Sequence, residues 1–130
     1  MSSYILDKAY AIDEAEGVGA YRAVVNGDDA GEAKLPAGAN AGGILGVTVH
    51  GQSRQGGHVA VRKAGIARVT AAGAVALGAP VNIDGATGKI KAIDETQGTA
   101  IQCLGFAETP AGADGDVIEV FISIHERTAP

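Results

Sequence analysis

Hydrophobic and polar residues alternate along much of this chain, and a two-residue alternation is typical of β-strands with one buried face. No segment has the longer period that a helix of three turns would need. The alternating segments predict strands over residues 4–8, 21–25, 44–49, 58–62, 66–69, 81–83, 89–93, 101–107 and 117–124. We therefore predict a mainly β fold, a small single-domain β-barrel or sandwich of short antiparallel strands with little helix and an extended N-terminal arm.

The segment around which the other strands are arranged is residues 58–69, which predicts a hairpin. Its three-residue loop would be residues 63–65, with Gly65 in the left-handed conformation that such loops require. That register pairs Val59 with Val69 on one face of the hairpin. The run of alanine and glycine that follows predicts a corner at which backbones cross closely.

Two parts of the chain, residues 45–61 and 104–120, share the order strand, glycine-rich loop, strand. This similarity predicts two related hairpins that close one barrel or sandwich. The length fits a single domain over residues 1–130. Within it, we expect residues 1–10 to form an extended arm and residues 125–130 a mobile polar tail.

The composition predicts a thin hydrophobic core. The 130 residues include 20 Gly and 25 Ala, but only three Tyr and two Phe. Glycine loses more backbone entropy on folding than other residues, so burial against another protein would supply stability that a lone monomer lacks. We therefore expect an oligomer or a bound partner.

The net charge, the cysteine count and the N-terminal sequence disfavour several classes of protein. The net charge is −5 and the basic residues are dispersed, which disfavours nucleic-acid binding because that function requires a basic surface. The single cysteine excludes an internal disulfide framework and fits a reducing compartment. The N-terminus lacks a signal-peptide pattern and no apolar run approaches ~18 residues, so we expect neither a signal peptide nor a membrane span.

Candidate catalytic and metal-binding residues are few. Cys103 could act as a nucleophile with His50, His58 or His125 as its base. Its setting in a predicted strand, however, favours a buried thiol that serves as a small hydrophobic side chain. His50 and His58 flank one loop without typical zinc-ligand spacing, so a metal site there stays open. We expect no enzymatic activity, no cofactor and no small-molecule substrate.

Several segments follow one another in an order that is similar to a known family. They are residues 43–48, 59–69, 72–81, 104–107 and 120–122. Together they resemble the capsid cement, or head decoration, proteins of tailed bacteriophages, over nearly the whole chain. The resemblance implies a small β-barrel-like virion protein, made in the cytoplasm of a bacterial host. It would bind the exterior of the mature capsid head, usually as a homotrimer, and stabilise contacts between major capsid protein subunits.

In such families the N-terminal arm often adds a strand to the major capsid protein, which by position implies a capsid-binding arm here. That arm consists of Ser2, Ser3, Tyr4, Ile5, Leu6, Asp7 and Lys8. Two alternatives stay open. One is another phage structural barrel, such as a tail-tube or head-completion subunit, and the other is a small ligand-binding or enzymatic β-barrel.

Overall fold

A computed structural model of the chain describes residues 5–38, 42–93 and 100–128, and within these ranges the regular structure is all β. Nine strands follow in order: β1 (Leu6–Ile12), β2 (Ala23–Asn26), β3 (Glu32–Lys34), β4 (Ile44–Thr48), β5 (His58–Thr70), β6 (Pro80–Ile83), β7 (Ile90–Ala92), β8 (Ala100–Ala107) and β9 (Val117–Thr128). The predicted fold class is confirmed. No helix within the described ranges is long and apolar enough to cross a membrane.

The first five strands close into a barrel. Their order is β1-β3-β2-β4-β5, and β5 pairs back with β1 to complete the circle. The β1–β3 contact is parallel and the other four contacts are antiparallel. A barrel has no open sheet edge where its strands are paired on both sides. The barrel interior is filled by Tyr10, Ile12, Val18, Val24, Ala33, Leu45, Val59 and Val61.

The second half of β5 leaves the barrel and begins a second sheet, β5-β9-β8-β6-β7. The inner face of this sheet packs against the outer side of the β2–β4 barrel wall, so β4 is buried along its whole length. The resulting core includes Ala23, Ile44, Val47, Val69, Val81, Ile83, Ile90, Leu104, Ile118 and Val120. Most of these side chains are β-branched, which suits them to pleated, buried surfaces.

The hairpin predicted over residues 58–69 is wrong. β5 is one continuous strand, and its bend lies at Gly65, whose φ of +94° confirms the predicted need for glycine there. The would-be loop residues have strand partners of their own: Ala64 pairs with Leu6 of β1, and Gly65 pairs with Ile122 of β9. As one continuous strand, β5 forms backbone hydrogen bonds with two distant strands, β1 and β9, which a local hairpin would not do.

The predicted mobile tail is also wrong for residues 125–128. His125–Thr128 continue β9 and pair with the start of β8, where Cys103 lies opposite His125. Residues 129–130 lie outside the described ranges. This segment is polar in composition, but a strand can carry polar side chains while its backbone is paired with a neighbouring strand.

Candidate binding surface

The predicted capsid-binding arm lies largely within β1. Ser2, Ser3 and Tyr4 fall outside the described residues. Ile5 precedes β1, and Leu6, Asp7 and Lys8 are its first three residues. These three pair antiparallel with β5, so in this structure they belong to the wall of the chain's own barrel and do not extend away from it.

The outer edge of β1 is open over most of its length. β3 pairs with β1 only at Ala11 and Ile12. From Leu6 to Ala9 the described part of the chain provides a strand partner on one side only, and these four residues are exposed. Ile5 and Leu6 leave 48% and 57% of their surface exposed. An edge with unpaired backbone groups and exposed apolar side chains is suited to receive a strand from another protein.

An ion pair fastens the beginning of β1 to β5. The guanidinium of Arg62 donates from Nε to Asp7 Oδ1 at 2.9 Å and from Nη2 to Asp7 Oδ2 at 3.2 Å. Its third group, Nη1, donates to the Ile66 carbonyl oxygen at 3.1 Å. This paired fork is the favourable geometry for an arginine and a carboxylate. Arg62 therefore links the open edge strand to the bend of β5.

A second contact attaches β1 to β5 at Tyr10, three residues after Asp7. Tyr10 is buried in the barrel, and its hydroxyl accepts a hydrogen bond from Lys63 Nζ at 2.7 Å. Lys63 Nζ and Lys8 Nζ also lie 5.4 and 5.3 Å from the centre of the Tyr10 ring, within the range of cation–π attraction. Lys63, on β5, thus reinforces the pairing of β1 with β5, whereas Lys8 contacts the ring from within β1 itself.

A cleft of about 310 Å³ opens where β5 parts from β4, between Tyr21, Val49, Arg62 and Arg68. Two of its polar side chains are engaged within the protein, since Arg62 binds Asp7 and the Thr48 hydroxyl donates to the Gly19 carbonyl oxygen at 2.8 Å. Arg68 and Glu119 add further polar side chains to its lining. No His, Cys or Asp is among the described residues that line it. The cleft is therefore better suited to receive a side chain of another protein than to catalyse a reaction.

Tyr21, at the mouth of this cleft, was not singled out by the sequence. Its φ is +61°, a left-handed conformation that costs a residue with a side chain about 1–2 kcal/mol. Two backbone hydrogen bonds hold it: its N–H donates to the Thr48 carbonyl oxygen, and its own carbonyl oxygen accepts from Thr70 N–H, both at 2.9 Å. Both partners are distant in sequence, so no local signal could have revealed this conformation.

The structure places Cys103 opposite one of its three candidate bases, His125, and leaves both candidate metal ligands at the surface. Cys103 is completely buried in β8. The ring of His125 stacks on Phe106, with 5.2 Å between ring centres, and its Nδ1 lies 2.6 Å from the Ser123 carbonyl oxygen. His50 and His58 are exposed. Among the described residues no three His, Cys, Asp or Glu side chains are grouped closely enough to hold a metal ion.

The fold is similar to that of a solved phage protein. No family model matches the sequence, and no curated protein matches it. Among the solved structures, one that matches is the crystal structure of the head fiber gp8.5 N base in bacteriophage phi29, with a TM-score of 0.63 and 21% sequence identity. The alignment covers 92% of this chain and 95% of that one. At this identity the likeness concerns the fold, which the two chains share over almost their full length.

Proposed function

We propose that this chain is a structural, non-enzymatic protein of a bacteriophage head. It binds the exterior of the mature capsid as a homotrimer and stabilises contacts between major capsid protein subunits. The observation that carries the proposal is the likeness, over 92% of the chain, to the base of a phage head fiber. That base is a part of a phage head structure, and the order of segments in this sequence resembles head decoration proteins independently of it.

The open edge of β1 supports a specific mode of binding. An added strand forms main-chain hydrogen bonds with little demand on sequence, and pockets for alternate side chains then provide specificity. Ile5 and Leu6 stand at this edge with about half of their surface exposed. The major capsid protein would pair with the edge at residues 5–9, while Asp7–Arg62 and Tyr10–Lys63 keep β1 attached to its own barrel.

Stabilisation of the capsid follows from multiple attachment. Three copies that bind neighbouring capsid subunits gain avidity without stronger individual contacts. Separation of those subunits would then require that several strand pairings break together. A net charge of −5 gives the chain an overall repulsion from the packaged genome, which fits an exterior position.

The test is to mix the purified protein with mature capsids that lack it. We expect saturable binding, visible on the capsid exterior by electron microscopy, and greater resistance of the capsids to heat. A variant with Ile5→Asp and Leu6→Asp should bind at least about tenfold more weakly, because charge is poorly tolerated in the apolar part of an interface. Leu77→Asp is the matched control, since Leu77 is 69% exposed on the turn that precedes β6.

Three results would contradict the proposal or part of it. Absence of saturable binding by the wild-type protein would remove the function as a whole. Binding that is unchanged by the Ile5→Asp and Leu6→Asp substitutions would remove the β1 edge as the contact. Protein seen on the tail or neck by electron microscopy would favour a different phage structural role.

A further inference from the structure

The outer face of the second sheet carries a row of three apolar side chains, of which two are exposed and the third, Phe106, is partly covered by the stacked ring of His125. Ile66, Phe121 and Phe106 lie directly opposite one another on β5, β9 and β8, so all three project from the same face. Their neighbours Ala67, Val120 and Ala107 project to the other face and are buried in the core. Ile66 is 44% exposed and Phe121 45%.

A charged row runs beside the apolar one on the same face. Arg68 of β5 lies opposite Glu119 of β9, and both are exposed. Within the described part of the chain neither side chain forms an ion pair or hydrogen bond. Glu108, whose backbone N–H donates to the Glu119 carbonyl oxygen at 2.8 Å, adds a second exposed carboxylate at the far end. The row is therefore positive at its β5 end and negative at its β8 end.

We propose that this outer face binds a second copy of the same chain. The charge pattern favours another copy as the binding partner. A partner surface that is uniformly positive or uniformly negative would place like charges against either Arg68 or Glu119, whereas another copy carries both charges. The β5 end of one copy can meet the β8 end of the next, and a head-to-tail contact of this kind forms a ring when the rotation between successive copies closes. Ile66 and Phe121 then become the desolvated centre, with the charged row at the rim that sets orientation.

The inference rests on the proposed function only for the number of copies, which is three in the homotrimer. Self-association itself is a property of the purified protein and does not require a capsid. Its failure and the failure of capsid binding are therefore separate results, one measured without capsids and the other with them.

The first experiment measures mass by sedimentation velocity over a wide range of protein concentration. We expect the wild-type chain to be an oligomer and a variant with Ile66→Ser and Phe121→Ser to be a monomer, with dissociation at least about a hundredfold easier because central apolar anchors dominate interface energies. Leu77→Ser, at an exposed leucine off this face, should keep the wild-type mass. Circular dichroism confirms that each variant is folded.

The second experiment tests the charged row between chains. Arg68→Glu gives one chain acidic side chains at both positions, and Glu119→Arg gives another chain basic side chains at both. Each variant alone should associate at least about tenfold more weakly than the wild type, because like charges then face each other. An equimolar mixture of the two should associate more strongly than either variant alone, because two of the three contacts in a mixed ring then join opposite charges. Contact within a single chain cannot explain such a gain.

A wild-type monomer at all concentrations overturns the inference, as does an oligomer that survives the Ile66→Ser and Phe121→Ser substitutions. So does a mixture of the two charge variants that associates no better than either alone. If the apolar row instead served the capsid, the serine variant would keep the wild-type mass and lose capsid binding, which also overturns it.

Discussion

Gly46 of β4 and Gly105 of β8 occupy equivalent positions in the two strand–loop–strand units. At each, the backbone of the following long strand passes so close that a Cβ atom would overlap a carbonyl oxygen, that of Arg62 at Gly46 and that of Phe121 at Gly105. Irregular register accompanies both glycines, between Val24 and Val25 beside β4 and between Cys103 and Gly105 in β8. The similarity of the two segments in sequence thus corresponds to a repeated close approach of two strands.

The first prediction concerns this close approach. Gly105→Ala should lower the free energy of unfolding by about 2–4 kcal/mol, because the overlap is with rigid backbone and β8 must shift away from β9. Chemical denaturation measures the change. The matched control is Gly73→Ala, where a Cβ meets nothing within 4 Å, and there the change should lie within about 1 kcal/mol of zero. Equal losses at the two positions would contradict the predicted cause.

The second prediction compares two leucines. Leu104 is completely buried between the second sheet and the barrel wall, whereas Leu77 is 69% exposed. Leu104→Ala should cost about 2–5 kcal/mol through lost burial and the cavity that remains, and Leu77→Ala about 0.5 kcal/mol or less. Thermal unfolding of both variants tests this, and a loss at Leu77 comparable to that at Leu104 would show that Leu77 is covered in the protein that unfolds.

Much of the fold could be predicted from the sequence because most strands are long enough to show their period. β4, β8 and the first part of β9 alternate clearly, and the pattern also placed β6 and β7 close to their observed bounds. β3 was missed, since it has only three residues and its sequence, Glu32–Lys34, has no strand preference. Its extended conformation comes from lying between β1 and β2, which is a tertiary effect.

The error over β5 has a different cause. A glycine after a basic residue between two apolar runs fits a hairpin loop and also fits a bend in a long strand. Only the partners decide between the two, and those partners, β1 and β9, lie far along the chain in opposite directions. The same limit applies to the candidate site: the sequence identified Leu6 to Lys8 as extended, but it could not show that Asp7 is bound to Arg62, 55 residues away.

The third prediction concerns that ion pair. Asp7→Asn should lower the free energy of unfolding by about 1 kcal/mol or less, because the pair is partly exposed, with 32% of the Asp7 side chain and 22% of the Arg62 side chain accessible. Its local effect should be larger. Hydrogen exchange of the β1 backbone amides near Asp7 should become several-fold faster, since local opening depends on few contacts there.

Asp28→Asn is the control for the third prediction. Asp28 also forms an ion pair, with Lys34 at 3.4 Å, but its side chain is 76% exposed. That substitution should leave both stability and exchange in β1 unchanged. Exchange in β1 that is equally slow in Asp7→Asn and in the wild type would show that the strand is held by its backbone pairing with β5 alone.

The fourth prediction concerns the second attachment of β1. Tyr10→Phe removes the hydroxyl that accepts from Lys63 Nζ but keeps the ring near both lysines, so the free energy of unfolding should fall by about 0.5–1.5 kcal/mol. Tyr21→Phe is the control, because the described structure shows no hydrogen bond from the Tyr21 hydroxyl, and it should change stability by about 0.5 kcal/mol or less. Urea denaturation of the two variants gives the comparison. If Tyr10→Phe is as stable as the wild type, contact between Lys63 and the ring is sufficient without the hydroxyl. If Tyr21→Phe loses more free energy of unfolding than Tyr10→Phe, the Tyr21 hydroxyl forms an interaction stronger than that between Lys63 and Tyr10.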